Sequence, residues 1–245
     1  MNSQFLSDKD PLGLQTLETI GKASNFNRWM YSEIKPFLKG EVLEIGSGIG
    51  NISQYAIEEG FKITLSDFNA GYYQWLKESF SNFPSVQNII QIDLLHPNFQ
   101  KNYSFLQEKF DSVFLLNVIE HIEDDITAVK NCKFLMKQNG HLILLAPAYK
   151  WLYCRFDREL GHYRRYTLRS MKQILKHNGL HIRMGNYFNA AGILGWLLFG
   201  RVMNKKMIGN DEMSAFNRFV PIARIIDRLT LKKTGLSVIT TSIKQ

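Results

Sequence analysis

Apolar runs alternate along the chain with segments whose apolar residues recur at helical spacing. The apolar runs predict strands over residues 41–45, 61–66, 86–92, 112–116, 141–146, 180–187 and 237–243. The other segments predict helices over residues 51–59, 73–80, 126–137 and 168–177, the third ending in a left-handed cap at Asn139-Gly140. The strand at 141–146 is almost wholly apolar, as a strand covered on both faces should be. The pattern favours an α/β fold built around one sheet.

The first strand runs directly into a glycine-rich turn. Glycine occupies every second position, at Gly46, Gly48 and Gly50, with Ser47 between the first two. Glycines allow positive φ and let a ligand approach the backbone with no Cβ in the way, while free N–H groups at the following helix start face that ligand. Glu44 places a carboxylate at the end of the same strand. The stretch predicts a strand, a tight turn and a helix start around a ligand.

Two more acids follow the next two strands. Asp67 comes about twenty residues after the glycines, where nucleotide-binding folds hold a ribose hydroxyl. Asp93 follows the third predicted strand. Because open α/β sheets bind ligands at the carboxyl ends of their strands, the three acids predict one site at that edge.

These residues resemble the first motifs of the class I S-adenosylmethionine-dependent methyltransferases, an acid followed by glycines at alternate positions. A dinucleotide-binding G-x-G-x-x-G is matched less well, because Asn51 stands where its third glycine should be. The resemblance implies a Rossmann-like seven-stranded sheet of order 3-2-1-4-5-7-6, within one domain over residues 1–245. It also implies that the acid at 44 supports the loop and the methionyl amino end, that at 67 binds the ribose, and that at 93 bonds the adenine. The implied cofactor-binding residues are Glu44, Gly46, Ser47, Gly48, Gly50, Asp67, Phe68, Asp93, Leu94, Asn117, Arg28 and Trp29.

Residues 12–39 precede the first strand and begin with apolar residues at helical spacing. In related methyltransferases this segment often closes the site. Arg28 and Trp29 are therefore predicted to cover the cofactor, and Tyr31 to reach the substrate. Packing of Trp29 and Tyr31 against the sheet is the alternative.

The segment after the fourth strand, Asn117-Val-Ile-Glu120-His121, resembles the corresponding motif of the same family. The resemblance implies that the backbone near Asn117 faces the methionyl part of the cofactor. His121 has two interpretations. As a base it would lie near the methyl group, where an ordinary pKa near ~6.5 suits proton removal around neutrality. As a structural residue it would bond neighbouring loops, and this second interpretation is favoured.

A connection rich in aromatic residues and arginines, residues 148–166, follows the fifth strand. Loops of this length are usually functional or disordered, and this one is too aromatic for disorder. Its end reads D-x-x-x-G-H-Y-R-R-Y and resembles a bacterial subgroup of the family, many of whose members act in surface-glycan, lipid-linked or secondary-metabolite pathways. Arginine forks suit a carboxylate or phosphate, and tyrosines can stack on a ring. The predicted substrate-binding residues are Tyr31, Trp151, Tyr163, Arg164, Arg165 and Tyr166, and His162 is the first candidate base.

The same motif has a structural interpretation. In it, Asp157 pairs with an arginine and Thr167 caps the helix that follows. The motif would then brace the loop instead of binding an acceptor.

Residues 188–235 form an insertion before the last strand. Its apolar part, 188–200, is shorter than the ~20 residues that span a bilayer. A second helix combines isoleucines with arginines, as interfacial membrane helices do. A cap over the acceptor pocket or a homodimer contact is favoured, and peripheral membrane contact through residues 188–233 is the alternative.

Composition narrows the setting of the protein. The 245 residues carry a net charge of +8, and residues 150–245 hold 18 Lys+Arg against 5 Asp+Glu, so an anionic partner is expected to meet this part. Cys132 and Cys154 are too few for a metal cage, and no metal site is expected. The first residues, Met1 to Asp8, lack the features of a signal peptide, so a reduced cytoplasmic protein is expected, with a possible peripheral position at the inner face of the membrane.

The sequence therefore predicts methyl transfer from S-adenosylmethionine, with S-adenosylhomocysteine as product, to a small anionic or amphipathic acceptor. O-methylation is the preferred reaction, with His162 and then His121 as bases. Nucleic-acid methylation is the rival suggested by a pI of about 9.4. It is not expected, because Asn117-Val-Ile-Glu replaces the Asn-Pro-Pro-Tyr of amino-methylating nucleic-acid enzymes. A regulator that binds the cofactor without turnover is the other alternative.

Overall fold

A computed structural model describes residues 10–245, so the stretch assessed for a signal peptide lies outside the described residues. The chain forms a seven-stranded sheet of order β3-β2-β1-β4-β5-β7-β6, which confirms the predicted order. The strands are β1 (Glu41–Ile45), β2 (Lys62–Asp67), β3 (Val86–Gln91), β4 (Phe110–Leu116), β5 (Met136–Pro147), β6 (Leu180–Phe188) and β7 (Ser237–Lys244). Strands β1 to β5 pair in parallel, and β7 runs antiparallel to both of its neighbours.

Helices cover both faces of the sheet. They are α1 (Pro11–Gly21), α2 (Ser24–Ile34), α3 (Ser53–Glu58), α4 (Ala70–Phe80), α5 (Phe99–Asn102), α6 (Asp125–Leu135), α7 (Arg155–Glu159), α8 (Leu168–His177), α9 (Gly192–Trp196) and α10 (Asn210–Leu229). Alternate residues of the central strands enter two separate cores. Leu43 and Leu144 pack on the α6 and α8 side, whereas Val42 and Ile143 pack on the α2 and α3 side. The central strands are therefore apolar on both faces.

The predicted helix at 126–137 ends earlier than its sequence pattern suggests. Helix α6 stops at Leu135, and Met136 already pairs with Phe110 of β4. Asn139 adopts the predicted left-handed backbone, with φ of 60°, but it lies inside β5 and not at a helix end. The prediction of a helix cap there was wrong, because pairing with β4 outcompetes the last helical turn.

Helices α1, α2 and α10 form a layer over one face of the sheet. The backbone N–H of Phe26 donates to the Asn217 side chain at 3.1 Å, and Lys232 pairs with Glu33. The ring of Trp29 packs on Phe188, with centroids 4.4 Å apart. The amino-terminal helices and part of the insertion therefore pack together on this face of the sheet. Within residues 10–245, no helix combines the length and apolarity needed to cross a membrane.

Candidate active site

The glycine turn after β1 adopts a backbone that side chains would disrupt. Gly46 and Gly50 have φ of 73° and 88°, in the left-handed region. A Cβ on Gly46 would lie 2.3 Å from Val118 Cγ2, and one on Gly50 would lie 2.3 Å from Phe80 Cζ. Both glycines are thus required by backbone conformation and by close neighbours. The turn therefore keeps a tight backbone without side chains between β1 and α3, which fits the cradle expected for a cofactor.

Glu44 lies at the end of β1 and is buried beneath this turn. Its carboxylate accepts a hydrogen bond from Ser53 at the start of α3, and its backbone carbonyl accepts one from Ser66 Oγ at 2.8 Å. Burial raises the pKa of Glu44 to about 7, against the lowering effect of hydrogen bonds from Ser53 and Ser47. Glu44 therefore links the end of β1 to the start of α3 and to β2.

This raised pKa predicts a pH-dependent contribution to stability. A carboxyl group whose folded pKa exceeds its unfolded value stabilises the fold below about pH 4.3, and the contribution is lost as the pH rises towards 7. Glu44→Gln should therefore gain stability relative to wild type across that window, by up to about 3 kcal/mol. Urea denaturation of both proteins at several pH values from 4.5 to 8 tests this. Parallel stability curves would show that the pKa of Glu44 is the same in the folded and unfolded proteins.

Asp67 lies at the end of β2 and faces the glycine turn. Its Oδ2 accepts the Gly48 N–H at 2.9 Å, and its Oδ1 accepts the Asn69 N–H at 2.9 Å. Burial raises its pKa to about 6, against the bonds from Asn69 and Gly48. An ionised carboxylate has acceptor capacity for about four hydrogen bonds, so ribose hydroxyls can still be bound. Phe68 follows with 67% of its surface exposed, which leaves the ring free to cover a base.

The predicted residues after β3 and β4 lie at the same edge. Asp93 is half-buried, its Oδ1 accepts the Leu95 N–H at 2.8 Å, and Leu94 beside it is buried. Asn117 has φ of 54° and donates its N–H to the Leu145 carbonyl, which ends β4 in a turn. The strand ends thus bring all the predicted cofactor residues outside the lid to one edge of the sheet.

The residues of the segment predicted to close the site, Arg28, Trp29 and Tyr31, are placed differently from the others. Trp29 and Tyr31 are buried in the core, where Tyr31 donates to Glu59 at 2.8 Å. Arg28 is exposed and lies over the Tyr55 ring at 4.9 Å. These contacts correspond to the alternative in which Trp29 and Tyr31 pack against the sheet.

Leu17 of α1 covers the glycine turn. A Cβ on Gly48 would lie 3.1 Å from Leu17 Cδ1, and the Asn51 side chain donates to the Leu17 carbonyl at 2.8 Å. Leu17 is not among the site residues predicted from the sequence. Its apolar spacing within residues 12–39 was the only available signal, and that signal does not distinguish a lid contact from core packing.

The aromatic loop is organised around Asp157, which is completely buried. Its carboxylate accepts hydrogen bonds from His162 Nδ1 at 2.9 Å and Arg165 Nε at 2.7 Å, and from the Cys154 N–H at 2.9 Å. Arg165 also stacks over the Trp196 ring at 4.4 Å. Thr167 caps α8 by accepting the Ser170 N–H. The ion pair of Asp157 with Arg165 and the helix cap at Thr167 are those expected if the motif braces the loop.

The remaining candidates in this loop divide by exposure. Arg164 pairs with Asp125 at 2.8 Å, and the buried Tyr166 hydroxyl donates to the same carboxylate at 2.9 Å. Trp151 and Tyr163 are 52% and 55% exposed. The two exposed rings are therefore the ones placed to meet a ligand.

The loop after β4 and the aromatic loop meet directly. The Tyr163 N–H donates to the Glu120 carbonyl at 2.8 Å, and the rings of His121 and His162 lie 4.5 Å apart. Desolvation and the neighbouring His162 lower the pKa of His121 to about 4. Burial raises the pKa of Glu120 to about 8. Glu120, His121 and His162 are called the Glu–His–His cluster below.

The strand order, the glycine turn and the acids at the strand ends define a class I S-adenosylmethionine-dependent methyltransferase. A family model described as "Methyltransferase domain" matches residues 22–183, more than half of the sequence. The chain belongs to this family. The predicted cofactor is thereby confirmed at the level of the class.

Two curated proteins are similar to part of the chain. "Probable polyketide synthase 40" of Dictyostelium discoideum is 27% identical over 136 residues, 48% of this chain and 5% of that protein. "Ubiquinone biosynthesis O-methyltransferase" of Histophilus somni is 26% identical over 102 residues, 42% of each chain. The chain thus spans less than half the length of these relatives.

Solved structures share the fold. A SAM-dependent methyltransferase from Archaeoglobus fulgidus matches with a TM-score of 0.58 and 15% identity, over 89% of this chain and 94% of that one. Haemonchus contortus phosphoethanolamine N-methyltransferase 2, solved with S-adenosyl-L-methionine, matches with a TM-score of 0.60 and 17% identity, over 100% and 60%.

Proposed function

We propose that this methyltransferase methylates an oxygen atom of a small anionic or amphipathic acceptor bound against the aromatic loop. The observation that carries the proposal is the direct contact between that loop and the loop after β4, through the Tyr163–Glu120 hydrogen bond. This contact supports an acceptor position beside Tyr163, whose ring is exposed, and Trp151 is the second exposed ring of the same loop. The similarity to a ubiquinone biosynthesis O-methyltransferase supports oxygen as the nucleophile.

S-adenosylmethionine supplies a sulfonium methyl group, and the residues of this chain hold and shield it. Asp67 would bind the ribose, Phe68 would cover the adenine, and the glycine turn would approach the methionyl part. Because charge is lost on sulfur as it is gained on the acceptor, the protein contributes mainly orientation and exclusion of water. Leu17, which covers the glycine turn at Gly48, would help to exclude water from this edge.

An oxygen acceptor also needs a base, and His162 is better suited than His121. Asp157 accepts from His162 Nδ1, which leaves Nε2 as the proton acceptor. The lowered pKa of His121 makes it a weaker base around neutrality, because efficient proton transfer needs a pKa near the working pH. A non-catalytic role for His121 is the one favoured by the sequence.

Titration calorimetry with S-adenosylmethionine, S-adenosylhomocysteine and NAD in parallel tests the cofactor. Mass spectrometry of phenolic, carboxylated and lipid-phosphate acceptors incubated with the enzyme then tests the acceptor class. Tyr163→Ala should retain cofactor affinity and lose most acceptor turnover. Binding without turnover on any acceptor, including nucleic acid, would favour the regulator. Methylation of nucleic acid alone would overturn the small-molecule proposal.

The insertion supports an anionic membrane surface as the place where an amphipathic acceptor is met. Along α10, Ile222, Ile225 and Leu229 are 52%, 54% and 78% exposed on one face. Arg224 and Arg228 flank this face and are exposed as well. Apolar side chains bordered by cations are typical of helices that lie in the lipid headgroup region.

Cosedimentation with vesicles containing phosphatidylglycerol tests this placement. Binding should be strong at low salt and fall as salt rises, because exposed charges are screened. Replacing Arg224 and Arg228 with glutamate should weaken binding at least about tenfold, since each basic residue near an anionic surface contributes about 1 kcal/mol. The matched control replaces Arg169 and Lys176 with glutamate. Both are exposed on α8, at the other face of the sheet. Absence of binding at low salt leaves the cap or a homodimer contact, and sedimentation velocity separates those two.

A further inference from the structure

The Glu–His–His cluster brings together three side chains that can ligate a metal ion. One ligand atom from each of Glu120, His121 and His162 lies within 4.8 Å of the other two. Glu120 and His121 come from the loop after β4, and His162 comes from the aromatic loop. No metal was expected from the sequence, because the cysteines are too few and His162 follows the adjacent pair Glu120 and His121 by 41 residues.

The carboxylate of Glu120 has no internal partner. The residue is 0% exposed, and neither Oε1 nor Oε2 has a hydrogen-bond partner among the described residues. Buried carboxylates are ordinarily paired, hydrogen-bonded or bound to a metal, because transfer of an unpaired charge from water is costly. The two orphaned oxygens therefore point to a ligand that the surrounding side chains do not supply.

His162 is already oriented as a metal ligand. Its Nδ1 is bonded to the Asp157 carboxylate at 2.9 Å, so Nδ1 carries the proton and Nε2 presents a lone pair. Histidine ligands in metal sites usually donate their other ring N–H to a carboxylate or carbonyl in this way. Asp157 is in turn held by Arg165 at 2.7 Å, which fixes the carboxylate.

We propose that Glu120, His121 and His162 bind a divalent transition-metal ion of the Zn²⁺ type. Zinc lies about 2.0–2.2 Å from imidazole nitrogen and carboxylate oxygen, so two ligands of a tetrahedral site are about 3.4 Å apart. Ligand atoms that lie within 4.8 Å of one another would therefore move together by up to about 1.4 Å when an ion binds. Imidazole donors favour Zn²⁺, Co²⁺ and Ni²⁺ over Mg²⁺, which prefers oxygen ligands.

The charges around the cluster are compatible with a cation. Arg165 is the cationic neighbour, and its charge is balanced by Asp157. Glu120 would release its proton on binding the ion, and the ionised carboxylate would then supply the one uncompensated negative charge of the group. His162 Nε2 can hold either a proton or the metal ion. While an ion is bound, His162 would therefore not act as the base of the proposed reaction. The metal site itself does not depend on the methyl-transfer proposal.

The experiment uses the full chain, freed of metal with a chelator and kept without S-adenosylmethionine or acceptor. Titration with Co²⁺ should produce a visible absorption band that saturates at one ion per chain and is displaced by Zn²⁺ but not by Mg²⁺. Glu120→Gln and His162→Ala should each weaken Zn²⁺ binding in calorimetry by at least about tenfold, the smallest loss seen when groups around a metal site are changed. Glu123→Gln in the same loop and His177→Ala on α8 are matched exposed replacements that should change nothing.

The readout separates this proposal from the methyl-transfer proposal, because ion binding is measured without cofactor or acceptor. Near-ultraviolet circular dichroism verifies that each variant is folded, and the nearly isosteric Glu120→Gln preserves the shape of the site. Absence of Zn²⁺ binding at millimolar concentration would overturn the site. Equal affinity in wild type and in folded Glu120→Gln and His162→Ala would also overturn it, as would loss of binding in His177→Ala.

Discussion

Replacement of Asp67 by alanine is expected to weaken S-adenosylmethionine binding by about tenfold to a hundredfold. Hydrogen bonds to a charged group contribute about 1.5–3 kcal/mol each, and every 1.4 kcal/mol is a factor of ten in affinity. The loss has two parts. The ribose loses its carboxylate, and the Gly48 N–H loses the partner that positions the glycine turn. Titration calorimetry at pH 7.5, where a pKa of about 6 leaves Asp67 ionised, measures the total.

Two further variants separate these parts. Asp67→Asn keeps one carbonyl oxygen for a backbone N–H and removes the charge, so its loss should be smaller than that of the alanine variant. Glu58→Ala removes an exposed carboxylate from α3 and should leave affinity unchanged. Unchanged affinity in a folded Asp67→Ala protein would remove this residue from the ribose site.

Replacement of Asp157 by alanine is expected to destabilise the fold by about 3–5 kcal/mol. The guanidinium of Arg165 is 0% exposed at the side-chain level and would lose its counter-charge inside the protein. Removing one partner of a buried ion pair is costly because the other charge stays buried and uncompensated. Although burial opposes ionisation, the bonds from His162 and Arg165 hold the pKa of Asp157 below its ordinary value. Its stabilisation is therefore present above about pH 4 and lost as the pH falls through the folded pKa.

Urea denaturation measures this effect, with a constant m-value as the check on two-state unfolding. Glu159→Ala breaks an exposed pair with Arg155 on the same helix, α7, and should cost less than about 1 kcal/mol. Asp157→Leu combined with Arg165→Met removes both buried charges and should recover much of the loss. A loss below about 1 kcal/mol in Asp157→Ala would mean that the pair does not hold the aromatic loop together.

The sheet and the cofactor edge could be predicted because their signals are local. An apolar run marks each strand, and a glycine or an acid marks its end, so the order of motifs follows the order of strands. A helix with a clear local pattern was predicted equally well. The predicted and observed bounds of α8, Leu168–His177, are the same. The start of β5 at Met136 was missed because it depends on pairing with Phe110, 26 residues earlier in the chain, which no local pattern records.

The acceptor side was harder to predict because its residues act through distant partners. The sequence showed arginines and tyrosines, but only the structure shows that Arg165 forms an ion pair with Asp157 and Arg164 with Asp125. The same chemistry that can bind an acceptor can also brace a loop. Exposure, which separates Tyr163 from Tyr166, depends on the complete fold.

The packing of α1 and α2 against α10 has a consequence for synthesis on the ribosome. The Thr19 hydroxyl donates to Asn210, and the Phe26 N–H to Asn217, across 191 residues in each case. The chain leaves the ribosome amino end first, and domains generally fold as units. The two leading helices would therefore remain without α10 until residues 210–229 have been translated. A nascent chain stalled before residue 210 is expected to leave the α10-facing side of both helices uncovered and accessible to chaperones and proteases.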